Sequence, residues 1–103
     1  MKFLTRQEEL VLLTIHNLGE KSSLISIREH LIEVTGKDWS VSSVYMPLDK
    51  LTRHGLLTTQ LGEPSLKRGG KAVKFYSLTK KAIESLNELN QMNNLMWKGF
   101  SGK

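Results

Sequence analysis

Six basic side chains crowded into fifteen residues are the feature of this sequence with the clearest chemical meaning. The stretch 67–81 contains no acid, and its bases are Lys67, Arg68, Lys71, Lys74, Lys80 and Lys81. Residues 1–66 carry seven bases and eight acids, and residues 82–103 carry two of each, so the stretch supplies the whole excess in a net charge of +5. Charge concentrated in one segment indicates a polyanionic partner, with a solvated loop as the alternative.

Residue types that serve catalysis or metal binding are present, but without the spacing that either needs. His16, His30 and His54 fall on three different predicted helices and form no ligand pair. The absence of cysteine excludes disulfides and cysteine-ligated zinc. No local signature of a nucleophilic serine occurs, and the stretch 67–71 lacks the GxxxxGK[ST] frame of a phosphate-binding loop. The sequence therefore predicts no enzyme, no metal site and no cofactor.

The composition predicts one globular domain with room for a helical arm. The chain has 103 residues, of which 39% are hydrophobic and 24% are charged. Its longest apolar run, Leu10–Leu13, is far too short for a membrane span. Glu8 and Glu9 follow the first residue too closely for the apolar core of a signal peptide. We therefore expect a cytoplasmic protein with no membrane partner.

Capping residues mark out the elements that position the basic stretch. A capping box over Thr5–Glu8 begins a first helix that ends at Gly19, and a second box over Ser26–Glu29 begins a helix that ends at Gly36. The connection at Ser23–Ile25 has room for a stub of strand. The second helix is joined to a third by a short Gly-containing turn, which is typical of a helix-turn-helix.

The third predicted helix is capped by Ser40 and ends at Gly55, with Val44, Leu48 and Leu51 as its inward stripe. Pro47 conflicts with this prediction, because a proline beyond the first turn removes a hydrogen bond and strains the turn before it. Either the helix begins nearer Ser43, or it is kinked at the proline.

After Gly55 the apolar period changes from that of a helix to that of a strand. Leu57, Thr59 and Leu61 alternate with polar residues, and Val73 and Phe75 alternate with Lys74 and Tyr76. A loop from Gly62 to Gly70 separates the two runs. We therefore predict a β-hairpin whose long tip carries most of the basic stretch.

A last helix, capped by Thr79, has apolar residues in a 4-3-4-3-4 spacing typical of a paired helix. The seam consists of Ala82, Leu86, Leu89, Asn93, Met96 and Phe100. Asn93 is its one polar member and could fix the register of a pair. The first helix is apolar on more than one face over 10–15, which also suggests a second subunit. The alternative is a single helix packed on its own core.

The predicted fold class is mainly α with a small β-hairpin. Residues 1–79 form a winged helix-turn-helix, and residues 80–103 form a C-terminal dimerisation helix.

Two segments of the sequence resemble the PadR-like transcriptional regulators. Ser43–Leu57 resembles the third helix of that family, although Pro47 lies one place later than the family proline. Arg68–Thr79 resembles its wing, because a glycine pair, bases, an aromatic pair and Leu-Thr follow in the same order. The usual His-Gly-Tyr start of the second helix is replaced by Ser23–Ile25. The resemblance implies a short family member that dimerises through its first and last helices.

Winged-helix geometry and the resemblance together select candidate DNA contacts. The N-terminal part of the third helix faces the bases, which nominates Ser42 and Ser43, with helix capping as their alternative role. The family match implies a contact for Tyr45, whose hydroxyl can reach a phosphate, and a half-buried tyrosine is the alternative. Outer-face and wing bases are expected to bind phosphates. These bases are Lys50, Arg53, Lys67, Arg68, Lys71 and Lys74.

A homodimer interface is predicted on the first and last helices. Its candidate residues are Leu10, Leu13, Leu86, Leu89, Asn93, Met96 and Trp97. Some short PadR-like proteins hold flat aromatic compounds at this interface, which makes Trp97 a candidate for stacking on a planar aromatic effector. The alternative for Trp97 is interface packing alone.

The function predicted from these patterns is sequence-specific DNA binding by a homodimeric transcriptional regulator. The resemblance implies a repressor, and twofold symmetry implies an inverted-repeat operator. Two alternatives stay open: a winged-helix module that binds an acidic protein, and a DNA-binding protein without sequence preference.

Overall fold

A computed structural model describes residues 4–62 and 72–100 of the chain. Its elements are α1 (Arg6–Leu18), a 3-10 turn (Gly19–Lys21), α2 (Leu24–Thr35), α3 (Val41–Arg53), β1 (Leu57–Leu61), β2 (Lys74–Leu78) and α4 (Lys80–Trp97). The two strands pair antiparallel, and the other described residues are helical or connecting chain. The predicted class, mainly α with a small hairpin and a C-terminal helix, is confirmed.

The capping box predicted for α1 is present. The backbone N–H of Thr5 donates to Glu8 Oε1 at 2.8 Å, and the backbone N–H of Glu8 donates to Thr5 Oγ1 at 3.1 Å. These bonds satisfy N–H groups that the first turn would otherwise leave free. Gly19 ends the helix at φ +61°, a left-handed conformation that favours glycine.

The start predicted for α2 is wrong, because Ser23 caps the helix and Ser26 does not. The backbone N–H of Ser26 donates to Ser23 Oγ at 3.2 Å, while the backbone N–H of Ser23 donates to Ser26 Oγ at 2.8 Å. Ser23 has the extended backbone that a cap requires, since it forms an isolated antiparallel bridge with Phe75. Of the strand stub predicted at Ser23–Ile25, this bridge is the part that forms. Because Ser23 is the cap, α2 begins at Leu24.

α3 begins where Ser40 predicts and runs through Pro47. The backbone N–H of Ser43 donates to Ser40 Oγ at 3.1 Å, which excludes the later start near Ser43. Pro47 is the seventh residue of the helix, so the carbonyl of Ser43 loses its usual N–H donor. Burial of the inward stripe holds the helix despite this loss.

The core lies between α1, α2, α3 and the base of the hairpin. Its buried apolar residues are Val11, Leu12, Ile15, Ile27, Leu31, Trp39, Val44, Leu48, Leu51, Leu56, Leu57, Tyr76 and Ala82. Trp39 fills the turn between α2 and α3, and its indole Nε1 donates to Thr35 Oγ1 at 3.1 Å. The carbonyl of Trp39 accepts from Arg28 Nε at 2.6 Å. The turn of the helix-turn-helix is thus held by a buried aromatic ring and two polar contacts.

The hairpin pairs Leu57 with Leu78 and Thr59 with Tyr76. Leu57 and Tyr76 lie on the same face and are buried, whereas Phe75 lies on the other face and is half-buried. A backbone bond from Tyr76 N–H to the carbonyl of Ser22 (2.8 Å) attaches β2 to the segment before α2. The hairpin therefore leaves the core in a defined direction.

α4 is attached at its first turn to the end of α3. Thr79 caps the helix by accepting from the backbone N–H of Ala82 at 3.3 Å, and its hydroxyl donates to the carbonyl of Gly55 at 2.7 Å. Lys81 Nζ donates to the carbonyl of His54 at 2.9 Å. No helix within residues 4–62 and 72–100 is long and apolar enough to cross a membrane.

Candidate nucleic-acid interface

The outer face of α3 is set by the burial of its opposite side. Val44, Leu48 and Leu51 point into the core, so residues half a turn away face solvent. Met46 lies on this outer face and is 62% exposed, whereas Val41 lies in line with the buried stripe and is 55% exposed as the first residue of the helix. The outer face therefore combines hydroxyl-bearing and apolar side chains in the first two turns.

The hydroxyls of Ser42 and Ser43 have different surroundings. Ser43 Oγ donates to the carbonyl of Ser40 at 2.8 Å, so it is engaged within the first turn. Ser42 is exposed, and its Oγ lies 3.3 Å from Ser40 Oγ. Because Ser40 is the cap, Ser42 is available for a partner at little cost to the helix.

Tyr45 is exposed and lies on the side of α3 that faces the hairpin. Burial raises the pKa of the neighbouring Tyr76 hydroxyl above its usual value of 10.0, and Tyr45 and Asp49 add to this shift. Tyr45 is 43% exposed, so part of its side chain is covered by the chain and part is accessible to a partner.

The outer-face position predicted for Lys50 is wrong. Lys50 Nζ pairs with Glu8 Oε2 at 3.1 Å, and the Glu8 side chain is buried. Burial alone would raise the pKa of Glu8, but the backbone N–H of Thr5 and the ammonium of Lys50 outweigh it and hold that pKa below its usual value of 4.5. Lys50 thus joins α3 to the start of α1.

Arg53 does lie on the outer face, where its Nε donates to Asp49 Oδ2 at 3.0 Å. Both side chains are exposed, and an exposed pair of this kind contributes only about 0–1 kcal/mol. A phosphate could therefore replace the carboxylate of Asp49 at small cost.

The basic stretch falls only partly within the described residues. Lys67, Arg68 and Lys71 lie outside the part that the structure describes. Lys74 begins β2 and is exposed. Lys80 is also exposed, while Lys81 is held at the end of α3. The described bases therefore lie along β2 and the start of α4.

Some of the residues predicted for a dimer interface already pack or bond within their own chain, and others are exposed. Leu89 is 6% exposed, so it already belongs to the packing of its own chain. Asn93 Nδ2 donates to Glu9 Oε2 at 3.3 Å within the chain, which accounts for a polar residue in the seam without a partner helix. Leu10 and Leu86 are half-buried. Leu13, Met96 and Trp97 are exposed.

A cavity of about 400 Å³ lies between α1 and the first part of α4. Leu13, His16, Ile83 and Leu86 are among its lining residues. Within residues 4–62 and 72–100, no three His, Cys, Asp or Glu side chains come together as metal ligands would.

The chain matches no protein-family model and no curated protein. Solved structures, by contrast, resemble it over most of its length. A PadR-like transcription factor from Bacteroides fragilis is 24% identical, with a TM-score of 0.76 over 89% of this chain and 84% of that chain. A PadR-family regulator from Eggerthella lenta is 22% identical, with a TM-score of 0.71 over 91% of this chain and 80% of that chain.

The chain has the PadR-like winged-helix fold. An organohalide-sensing transcriptional regulator, solved in its ligand-free form, is also similar. It is 17% identical, with a TM-score of 0.67 over 96% of this chain and 54% of that chain. The resemblance drawn from the third helix and the wing is thus confirmed for the fold.

Val41 and Met46 are surface residues of this PadR-like fold that the apolar pattern did not single out. Both are apolar, and apolar residues in a helix are normally assigned to its inward stripe. A signal was present, because Met46 lies roughly opposite Val44 and Leu48 on the helix. The wheel position therefore identifies Met46 as a surface residue, whereas Val41 shares the inward spacing and is exposed because the helix begins there.

Proposed function

We propose that this protein is a sequence-specific, DNA-binding transcriptional regulator that acts as a homodimeric repressor on an inverted repeat. The observation that carries the proposal is the exposed outer face of α3 beside a hairpin whose sequence holds four of the six bases of the basic stretch. α3 supplies the surface for the bases, and the hairpin supplies cations for the phosphates. In this proposal residues 1–79 bind DNA and residues 80–103 assemble the dimer.

The exposed end of α4 supports the homodimer. Leu95, Met96, Trp97 and Phe100 present large apolar side chains to solvent in a single chain. A second copy would cover them, and the half-buried Leu10 and exposed Leu13 of α1 lie on the other helix proposed for the interface. A twofold dimer places two α3 helices on half-sites whose centres lie about one turn of DNA apart, or a multiple of it.

DNA binding is tested by titrating the purified protein into labelled DNA from upstream of its own gene, with random DNA of equal length for comparison. We expect tighter binding to the first and a Kd that rises steeply with salt. Equal affinity for both DNAs would favour the non-specific alternative. No binding to either at low salt would favour the module that binds an acidic protein.

The basic stretch is tested with two matched double variants. Lys71→Ala/Lys74→Ala removes two bases of the wing, and Lys98→Ala/Lys103→Ala removes two bases outside the stretch. If each wing base binds one phosphate, the first variant lowers the slope of log Kd against log salt by about two, while the second leaves it unchanged. Equal effects of the two variants would mean that the stretch is a solvated loop.

A planar aromatic effector is a second, separate proposal, supported by the geometry of Trp97. Its ring is 64% exposed and meets Phe100 edge to face, with centroids 5.0 Å apart and an interplanar angle of 88°. One face of the indole is thus open to stacking. In Trp39→Phe, Trp97 is the remaining tryptophan, and its fluorescence should change when a planar aromatic binds. Unchanged fluorescence across a panel of such compounds would leave interface packing as its role.

A further inference from the structure

The exposed side chains in the first two turns of α3 carry no charge. Val41, Ser42, Tyr45 and Met46 face solvent there, and the first ionisable acid or base along the helix is Asp49. Asp49 and Arg53 pair with each other, and Lys50 pairs with Glu8. The half of the helix that a winged helix presents to base edges therefore has only hydroxyl and apolar groups to offer.

These side chains exclude the strongest forms of direct base readout. Bidentate recognition of guanine requires Arg or Lys, and bidentate recognition of adenine requires Asn or Gln. None of these four residue types occurs between Val41 and Asp49. What Val41 and Met46 can contact favourably is the apolar C5-methyl group of thymine, which projects into the major groove.

Val41 and Met46 are not needed for the packing of the fold itself. Val41 and Met46 contribute to neither the buried core nor the partly buried residues packed against it. Met46 is 62% exposed on the face of α3 opposite its buried stripe, and Val41 is 55% exposed at the N-terminal end of the helix. A partner that buries these two side chains would gain hydrophobic stabilisation that they do not provide in the free chain.

We propose that Val41 and Met46 are specificity-determining residues that contact thymine methyl groups, so that each operator half-site carries A·T pairs opposite the start of α3. This inference rests on the proposed function. It assigns the readout to apolar side chains, with Ser42 as the neighbouring hydroxyl.

The test begins with an operator selected from random DNA by the wild-type protein. Each thymine of the half-sites is then replaced by deoxyuridine, which removes one methyl group and leaves base pairing intact. Wild type should lose about fourfold in affinity at each contacted thymine, as expected for one buried methyl group. In Met46→Ala and in Val41→Ala, the loss of affinity should disappear at the one thymine that the truncated side chain contacts. Val34→Ala, which truncates an exposed apolar residue of α2, is the matched control and should show the same losses of affinity as wild type.

The outcomes separate this inference from the proposed function. Failure to select any sequence overturns the proposed function, and the inference with it. A selected operator whose affinity is unaffected by every deoxyuridine overturns the inference alone. So does an operator whose losses persist unchanged in both Met46→Ala and Val41→Ala. Circular dichroism of each variant checks that α3 is intact, as expected for truncation of exposed side chains.

Discussion

The two halves of α4 have the same helical geometry but different surroundings. The anchored half, residues 80–89, places Ala82 and Leu89 in contact with the rest of the chain and is tied to the end of α3 by Thr79 and Lys81. The exposed half, residues 90–97, contacts its own chain through Asn93 and leaves Leu95 74% exposed and Trp97 64% exposed. One helix thus completes the core at one end and presents an apolar surface at the other.

In the proposed function, this difference lets dimer assembly and DNA binding share a small chain. The anchored half contacts the carbonyls of His54 and Gly55, which directly follow α3. A partner that covers the exposed half therefore acts on a helix already fastened to the proposed DNA-binding helix. The spacing of two α3 helices in a dimer would follow from the direction of α4.

Removing different lengths of α4 gives the largest expected contrast. Truncation after Lys81 deletes Ala82 and Leu89 and should leave an unfolded chain, because the core loses its cover. Truncation after Asn94 removes residues 95–103, of which the described ones, 95–100, are all exposed, and should leave a folded monomer. Circular dichroism measures folding, and sedimentation measures mass. A folded chain after the first truncation, or a dimer after the second, would contradict the division of α4 into an anchored half and an exposed half.

The same substitution in each half should have unequal effects. Leu89→Ala opens a cavity in buried packing and should lower the free energy of unfolding by about 2–5 kcal/mol. Leu95→Ala should change it by less than about 0.5 kcal/mol at concentrations where the protein is monomeric. Chemical denaturation measures both. Equal losses would mean that the exposed half also packs on its own chain.

The attachment of the anchored half depends partly on Thr79. Thr79→Ala removes both the cap and the hydrogen bond to the carbonyl of Gly55, and should cost about 1–2 kcal/mol. Thr79→Ser retains the hydroxyl and should recover most of that loss. Thermal unfolding of the two variants provides the comparison. If both variants matched wild type, the anchor would reside in apolar packing alone.

The smallest expected effect concerns Glu8, which lines a cleft of about 420 Å³ opposite Glu84 and Glu88 of the anchored half. Its folded-state pKa lies below 4.5, so its ion pair stabilises the protein above that pH. The contribution is lost as pH falls through the lowered pKa. Glu8→Gln should therefore flatten the acid limb of stability measured by denaturation between about pH 5 and pH 3. An unchanged acid limb would contradict this role.

Local hydrogen-bonding chemistry made much of the fold predictable. The caps at Thr5, Ser40 and Thr79 each accept a bond from a residue three places on, so sequence spacing alone identifies them. The failure at Ser26 has a tertiary cause. Ser23 and Ser26 both suit a cap, and the bridge from Ser23 to Phe75 of the distant β2 selected the first.

The candidate site was predictable in outline and not in detail. Charge counting located the basic stretch, and helical spacing located α3 and α4, because both properties belong to contiguous residues. The partners of individual side chains depend on elements far apart in sequence. Lys50 meets Glu8, and Asn93 meets Glu9, only because α1 packs between them.

By itself, then, the sequence determined the element order, three of the four α-helix caps and the place of the excess charge. Tertiary structure decided which side chains remain free to bind a partner. It paired Lys50 with Glu8, enclosed Leu89 and left Met46 and Trp97 in solvent. The physical reason is that hydrogen bonds of a cap span three residues, whereas burial is a property of whole packed surfaces.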